Sequence, residues 1–268
     1  MFPRLLIFAV VVLAGCQDIV DAPDLPYVER MVVYSIVTAG QEISVSFSRT
    51  LPLNKIYTLQ EAALSDVAAT VEADGRVYPL HYESLGVYRT SGLIVKGGGV
   101  YGLHAVWRGT TCEAQTRVPD SLTIDSLLIL NGAGPYGWSI VRAIFFPRPA
   151  ETYALTWQIS GQGVAQNQEF GFSTLVRQED ARNDGRVNLD EHIYILPGYG
   201  PTTLQHGSIL AVIQAFDGPF YDYFKSRSRV ASTDDIFAQP GGSVRWNVRG
   251  DAIGLFIGKS VTSVKLDF

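Results

Sequence analysis

The sequence predicts an all-β protein, and three observations carry that expectation. Apolar residues alternate with polar ones in short runs, as in Ile43-Ser44-Val45-Ser46-Phe47, which puts one side of an extended chain in a core and the other in water. Turn residues punctuate these runs at regular intervals, with Asp74-Gly75 the sharpest case, because glycine supplies the positive φ that tight hairpins need. Finally, 47% of the 268 residues are apolar and 18% charged, the balance of a chain with a core to bury rather than a disordered one.

Before the strands begin, the chain reads as an export signal. Arg4 precedes the apolar run Leu5 to Leu13, which ends in Leu13-Ala14-Gly15-Cys16. The run is short of the roughly 20 apolar residues of a spanning helix but matches the hydrophobic region of a secretory signal. Ala14 and Gly15 suit the pocket of a signal peptidase, and Cys16 is the expected lipidation site. Residues 1–15 are therefore read as a lipoprotein signal peptide and 16–28 as a polar tether with Pro23 and Pro26. Gln17, rather than Asp, follows the cysteine and directs the expectation to the outer membrane, on a face that the sequence leaves open.

Residues 29–119 are expected to form an immunoglobulin-like β-sandwich. Met31 to Val37, Ile43 to Phe47, Ala68 to Glu72, Arg76 to Leu80, Gly86 to Arg89, Tyr101 to Trp107 and Ala114 to Val118 read as strands, and some seven short strands in about 90 residues is the pattern of that sandwich. Pro119-Asp120 marks the boundary of a second β-rich domain over 120–268. Its expected strands are Leu122 to Leu130, Ser139 to Phe146, Tyr153 to Ile159, Phe170 to Val176, His192 to Leu196, Ser208 to Gln214, Ser243 to Val248, Ile253 to Ile257 and Val261 to Phe268. One helix interrupts them, opened by Asp217-Gly218-Pro219 and running to about Val230. No tandem repeat is visible in the text.

Composition narrows function by exclusion. A net charge of −5 without a Lys/Arg cluster gives no electrostatic footing for nucleic acid. Of two cysteines, a lipidated Cys16 leaves Cys112 unpaired, and its place on an alternating strand reads as a buried small hydrophobe. His81, His104, His192 and His206 lack metal-ligand spacing, and no Gly-x-Ser-x-Gly elbow is present. Gly97-Gly98-Gly99 reads as a flexible loop rather than a phosphate cradle, and Arg249-Gly250-Asp251 as chance text.

The sharpest chemical candidate is Asp180 to Glu191. Against the twelve-residue calcium loop, oxygens fall at Asp180, Asp184, Asn188 and Glu191, the carbonyl of Arg186 takes position seven, and Gly185 stands at the turn. Arg182 replaces a ligand, and the flanks read as strands. Two readings stand, a Ca²⁺ site and a polar hairpin turning at Asp184-Gly185, of which the hairpin is preferred. Aromatics Tyr199, Phe216, Phe220, Tyr221, Tyr223 and Phe224 crowd the helix region, as core or as a binding platform.

The order of these features, with Tyr221-Asp222-Tyr223-Phe224-Lys225 followed by Asn247, Gly250, Gly254, Phe256 and Gly258, resembles the uncharacterised Bacteroidota lipoproteins of domain-of-unknown-function family 4249. The resemblance implies an envelope lipoprotein encoded beside TonB-dependent outer-membrane receptors, and it carries over no catalytic residue. The expectation is thus a non-enzymatic, membrane-anchored binding or accessory module, with a TonB-dependent receptor as its partner in nutrient uptake. A surface adhesin or envelope-organising protein is the alternative, and a hydrolase with a site assembled from distant residues the second.

Overall fold

The computed structural model describes residues 27–52, 54–134, 139–161, 174–193, 207–231 and 244–267. The fold is all-β. A first group of strands, β1 (Met31–Thr38), β2 (Glu42–Arg49), β3 (Ala68–Ala73), β4 (Arg76–Ser84), β5 (Val87–Ile94), β6 (Val100–Trp107) and β7 (Thr110–Arg117), follows the expected alternation. They pair in the order β1-β2-β5-β4-β3-β6-β7. The strand β4 makes the corner: residues 76–79 pair with β3 and residues 80–84 with β5, so one strand serves two sheets, as corners of sandwiches do. Strands 1-2-5-4 then face strands 3-6-7, which is the immunoglobulin constant-type order. Val33, Val45, Phe47 and Tyr88 from one sheet and Val71, Leu103, Trp107 and Cys112 from the other fill the space between.

Two local features fix this sandwich. The Tyr101 hydroxyl accepts the Lys96 backbone N–H at 2.6 Å, a tyrosine corner at the start of the sixth strand. The residues Gly97 to Gly99, expected to be flexible, are the turn that wraps this hydroxyl: a Cβ on Gly99 would sit 2.8 Å from it, and one on Gly98 would meet Asp120 Oδ1 at 2.8 Å. Between β2 and β3 a short helix, α1 (Leu59–Ala62), is capped by Thr58, whose hydroxyl accepts the Glu61 N–H.

The second group comprises β8 (Ser126–Leu130), β9 (Ser139–Phe145), β10 (Thr152–Gly161), β11 (Leu175–Val176), β12 (Val187–Ile193), β13 (Gly207–Phe216), β14 (Arg249–Gly250) and β15 (Ala252–Asp267), with helix α2 (Gly218–Ala231) between β13 and β14. Sheet β8-β9-β12 faces β11-β10-β13-β15 across a core that includes Val141, Phe145, Tyr153, Trp157, Leu189, Ile193 and Ile213. Leaving out β14, these are strands 1-2-5 against 4-3-6-7. The order repeats that of the first sandwich except for the sheet to which the fourth strand belongs.

The strand β15 welds the two bodies together. Residues 252–259 pair in parallel with β1, while residues 259–267 pair with β13. Phe256 and Ala252 enter the first core, and Leu255 and Ile257, on the opposite face, lie under helix α2 with Phe216, Phe220 and Ala154. Burial on both faces explains the apolar run Leu255-Phe256-Ile257, which no half-exposed strand would show.

Several sequence-based expectations need correction. The strand expected at His192 to Leu196 is β12, which starts at Val187. The inward Glu191, buried and accepting the Thr174 N–H at 2.7 Å, had broken the apolar alternation that would reveal it. The run Ser243 to Val248 is not a strand over its described residues 244–248; pairing starts at β14. The expected strands Ile253 to Ile257 and Val261 to Phe268 form one continuous β15. Residues 170–173, 194–196 and 268 of other expected strands, and Tyr199 and His206, lie outside the described residues.

Candidate functional site

A groove of about 1200 Å³ opens over the first sandwich. Its floor is the outward face of β3, β6 and β7, where alternation exposes Glu72, His104, Glu113 and Gln115. Register places them side by side: His104 stands opposite Thr70 on one strand and Glu113 on the other, and Gly102 lies between Glu72 and Gln115. With hydrogen in place of a side chain, Gly102 leaves a recess in that floor. One wall is the start of helix α2 with Gly218, Pro219 and Asp222, and another is Val244 to Asn247 with Arg249. Arg177, which precedes a 3-10 turn at Gln178–Asp180, completes the lining.

The walls are fixed by contacts outside the groove. The Arg245 N–H donates to Ser226 Oγ at 2.9 Å, and its guanidinium lies 3.7 Å from Asp222. The exposed indole of Trp246 leans on Tyr223, ring centroids 5.6 Å apart. The Arg177 guanidinium stacks over Tyr221 at 4.5 Å and meets Glu179 at 3.3 Å, and its buried Nε has no hydrogen-bond partner. The groove thus offers three arginines, three carboxylates, an imidazole and an aromatic plate. Such a lining suits a polar chain that stacks and hydrogen-bonds at the same time. Phe216, Phe220 and Phe224 pack in the small core under α2, Tyr221 supports the groove residue Arg177, and Tyr223 does both, packing on that core and against Trp246.

Of the residues singled out in the sequence, His104 and Arg249 line the groove, and the cysteines and the acidic loop fall elsewhere. Cys16 lies outside the described residues. In the acidic loop, Asp180 Oδ2 accepts the Arg177 N–H at 2.7 Å, Asp184 Oδ1 accepts the Arg186 N–H at 3.1 Å, and Asn188 Oδ1 accepts Arg182 Nη1 at 3.4 Å. The Arg186 side chain reaches Asp125 at 2.8 Å and covers the Phe146 ring, and Glu191 is turned into the interior. The loop closes as a turn, Arg182 N–H to Arg186 carbonyl at 2.7 Å, with Gly185 at φ +79°. Arginines and backbone amides therefore hold the oxygens that were aligned with calcium positions. Among the described residues, no three His, Cys, Asp or Glu side chains gather as a metal cage. Cys112 is buried, and burial pushes its thiol up to about 11, so it is inert as a nucleophile. In the tripeptide Arg249-Gly250-Asp251, Arg249 and Gly250 pair with Glu113 and Cys112 of β7, and a Cβ on Gly250 would strike the Thr111 carbonyl.

Four of the residues that carried the family resemblance meet at the joint. The Asn247 side chain donates to the Phe256 carbonyl at 2.7 Å and accepts its N–H at 2.9 Å. Gly254, at φ +139°, lies against β1 where a Cβ would strike the Val33 carbonyl, and a Cβ on Gly258 would sit 2.7 Å from Val118 Cα. Together they let β15 lie flush against the first sandwich.

No protein-family model and no curated protein sequence matches the chain. Among solved structures, bovine butyrophilin is similar at 10% identity and a TM-score of 0.21, over 68% of this chain and 91% of that one. The immunoglobulin-like order is shown by the strand pairing itself. Among the described residues, no helix is long and apolar enough to cross a membrane.

Proposed function

We propose that the chain is an outer-membrane lipoprotein, anchored through Cys16, that acts without catalysis as a binding or accessory module beside a TonB-dependent receptor in nutrient uptake. We further propose that it belongs to the lipoprotein family 4249, since Asn247, Gly254, Phe256 and Gly258 of the shared text act together at one joint. The observation that carries the binding role is the groove: two sandwiches fastened by one strand frame a mixed-charge surface with an exposed tryptophan. A rigid frame lowers the entropy lost when a partner docks, and aromatic and arginine side chains are the usual anchors of such contacts.

The test is recovery of the tagged, full-length protein from envelopes in mild detergent. A β-barrel receptor is expected to accompany it, and Trp246→Ala combined with Arg245→Glu is expected to lose that partner while the melting temperature stays unchanged. Repeated recovery of the protein alone would overturn the receptor role.

A further inference from the structure

All the loops that join β2 to β3, β4 to β5, β6 to β7 and β14 to β15 lie at one end of the first sandwich, and the chain enters β1 at that same end. The contacts are direct. The Tyr27 hydroxyl bonds to Thr50, Glu29 pairs with Arg49 at 3.0 Å, Gly86 of the β4–β5 turn packs on Ala63, and the Asp251 N–H donates to the Thr111 carbonyl. Exposed apolar side chains gather at this end: Ile56 is 88% exposed, Val28 67%, Tyr57 60%, and Leu59 and Leu85 45% each. Tyr57 and Leu59 flank Thr58, the N-cap of α1.

We propose that this end is a lipid-contacting surface, with Ile56, Tyr57 and Leu59, supported by Leu85 and Val28, seated in the interfacial region of the bilayer to which Cys16 is anchored. The contact rests on the anchor reading. The stretch Gln17 to Pro26 spans at most about 35 Å when fully extended and about 17 Å as a flexible coil, so the anchor holds this end, rather than the opposite one, near the membrane. Tethering makes the second contact intramolecular, and a patch too weak to bind vesicles alone is then occupied. Tyrosine and branched aliphatics are suited to that layer, where one part of the side chain is dry and another wet. Most neighbouring charges are paired, Lys55 with Glu61 at 2.8 Å and Arg108 with Glu29 at 3.8 Å and Asp66 at 3.7 Å, and the remaining Arg30 and Asp251 are exposed and of opposite sign. The contact is therefore driven by apolar burial and is insensitive to salt.

The experiment uses the full-length lipidated protein reconstituted into phosphatidylcholine vesicles, with a polarity-sensitive fluorophore on Ile56→Cys and, as control, on Asp74→Cys at the β3–β4 turn of the opposite end. Cys112 is buried, with its thiol pushed up to about 11, and stays unlabelled. Expected are a blue shift at position 56, loss of its emission with nitroxide-labelled lipid, neither effect at position 74, and no change on raising salt. A second variant, Ile56→Asp with Tyr57→Asp and Leu59→Asp, is expected to keep its melting temperature and to abolish quenching of a fluorophore on Leu85→Cys. Protein that floats with the vesicles while the label at 56 stays in water would overturn the lipid contact and leave the anchor standing. A blue shift at position 56 that appears only with an added β-barrel receptor, and is not quenched by nitroxide-labelled lipid, would assign the patch to a protein and also overturn the lipid contact. Protein that neither floats nor carries acyl mass on Cys16 would remove the anchor, and the contact with it.

Discussion

Asn247 illustrates how one side chain completes a sheet. The Phe256 N–H and carbonyl point away from β1, on the side where β13 no longer accompanies β15, and the Asn247 amide satisfies both. Asn247→Ala leaves two half-buried backbone groups without partners and is expected to cost about 2–4 kcal/mol, read as a lower urea midpoint with unchanged slope. The tyrosine corner has a counterpart in the second sandwich, where the Tyr153 hydroxyl accepts the Arg148 N–H at 2.7 Å and donates to Glu151 at 2.7 Å. Tyr101→Phe and Tyr153→Phe should each lose about 1–2 kcal/mol in the same measurement. Asp217 works in the opposite direction. Burial pushes its carboxyl from 3.8 up to about 6, although Thr116 donates to it and the Gly258 and Phe220 contacts favour the charged form. The unfolded chain then loses this proton first as pH rises, so stability is greatest below 3.8, falls between 3.8 and about 6, and is level above. Asp217→Asn keeps a Thr116 acceptor without the buried charge. It is expected to gain up to about 3 kcal/mol at neutral pH and little in acid, which urea titrations at both pH values would show.

At the scale of elements, the demanding piece is β15, which must approach β1 closely enough that a Cβ at position 254 would overlap the Val33 carbonyl. Gly254→Ala also meets a φ of +139°, a region that side chains rarely adopt. This variant is expected to lose β1–β15 pairing, with faster amide exchange in both strands and little change in β8, β9 and β12. Such a strand was only partly legible. The first seven strands could be read from alternation because each has one face in a core and one in water. In β15 both faces are buried over residues 254–258, the period disappears, and the text looks like two strands with glycines between. The strand β12 was hidden by the opposite effect, an inward glutamate where an apolar residue was expected. The groove was illegible for another reason. Glu72, His104, Glu113, Arg177 and Trp246 lie on three strands and two separate segments of chain, and the sequence shows each as an ordinary outward residue; only strand register and the position of α2 bring them together.

The whole molecule is two sandwiches of nearly the same strand order, with no repetition visible in the text, because the order is set by which faces are apolar and how strands connect rather than by particular residues. What distinguishes this chain is that the last strand of the second sandwich is also an edge of the first, while β14 covers the other edge at β7. A fragment of residues 29–119 would lose Val248, Ala252 and Phe256 from its core and expose the edges of β1 and β7, open strands that pair readily with other chains. It is expected to aggregate rather than fold. For the same reason the intact protein cannot melt its parts separately: unfolding the second sandwich removes β15 from the first, and unfolding the first leaves the apolar face of residues 252–258 uncovered. Calorimetry of the full mature chain should therefore give a single transition with equal van't Hoff and calorimetric enthalpies. Two resolved transitions, or a folded monomeric 29–119 fragment, would show that the shared strand fastens the sandwiches without coupling their stability.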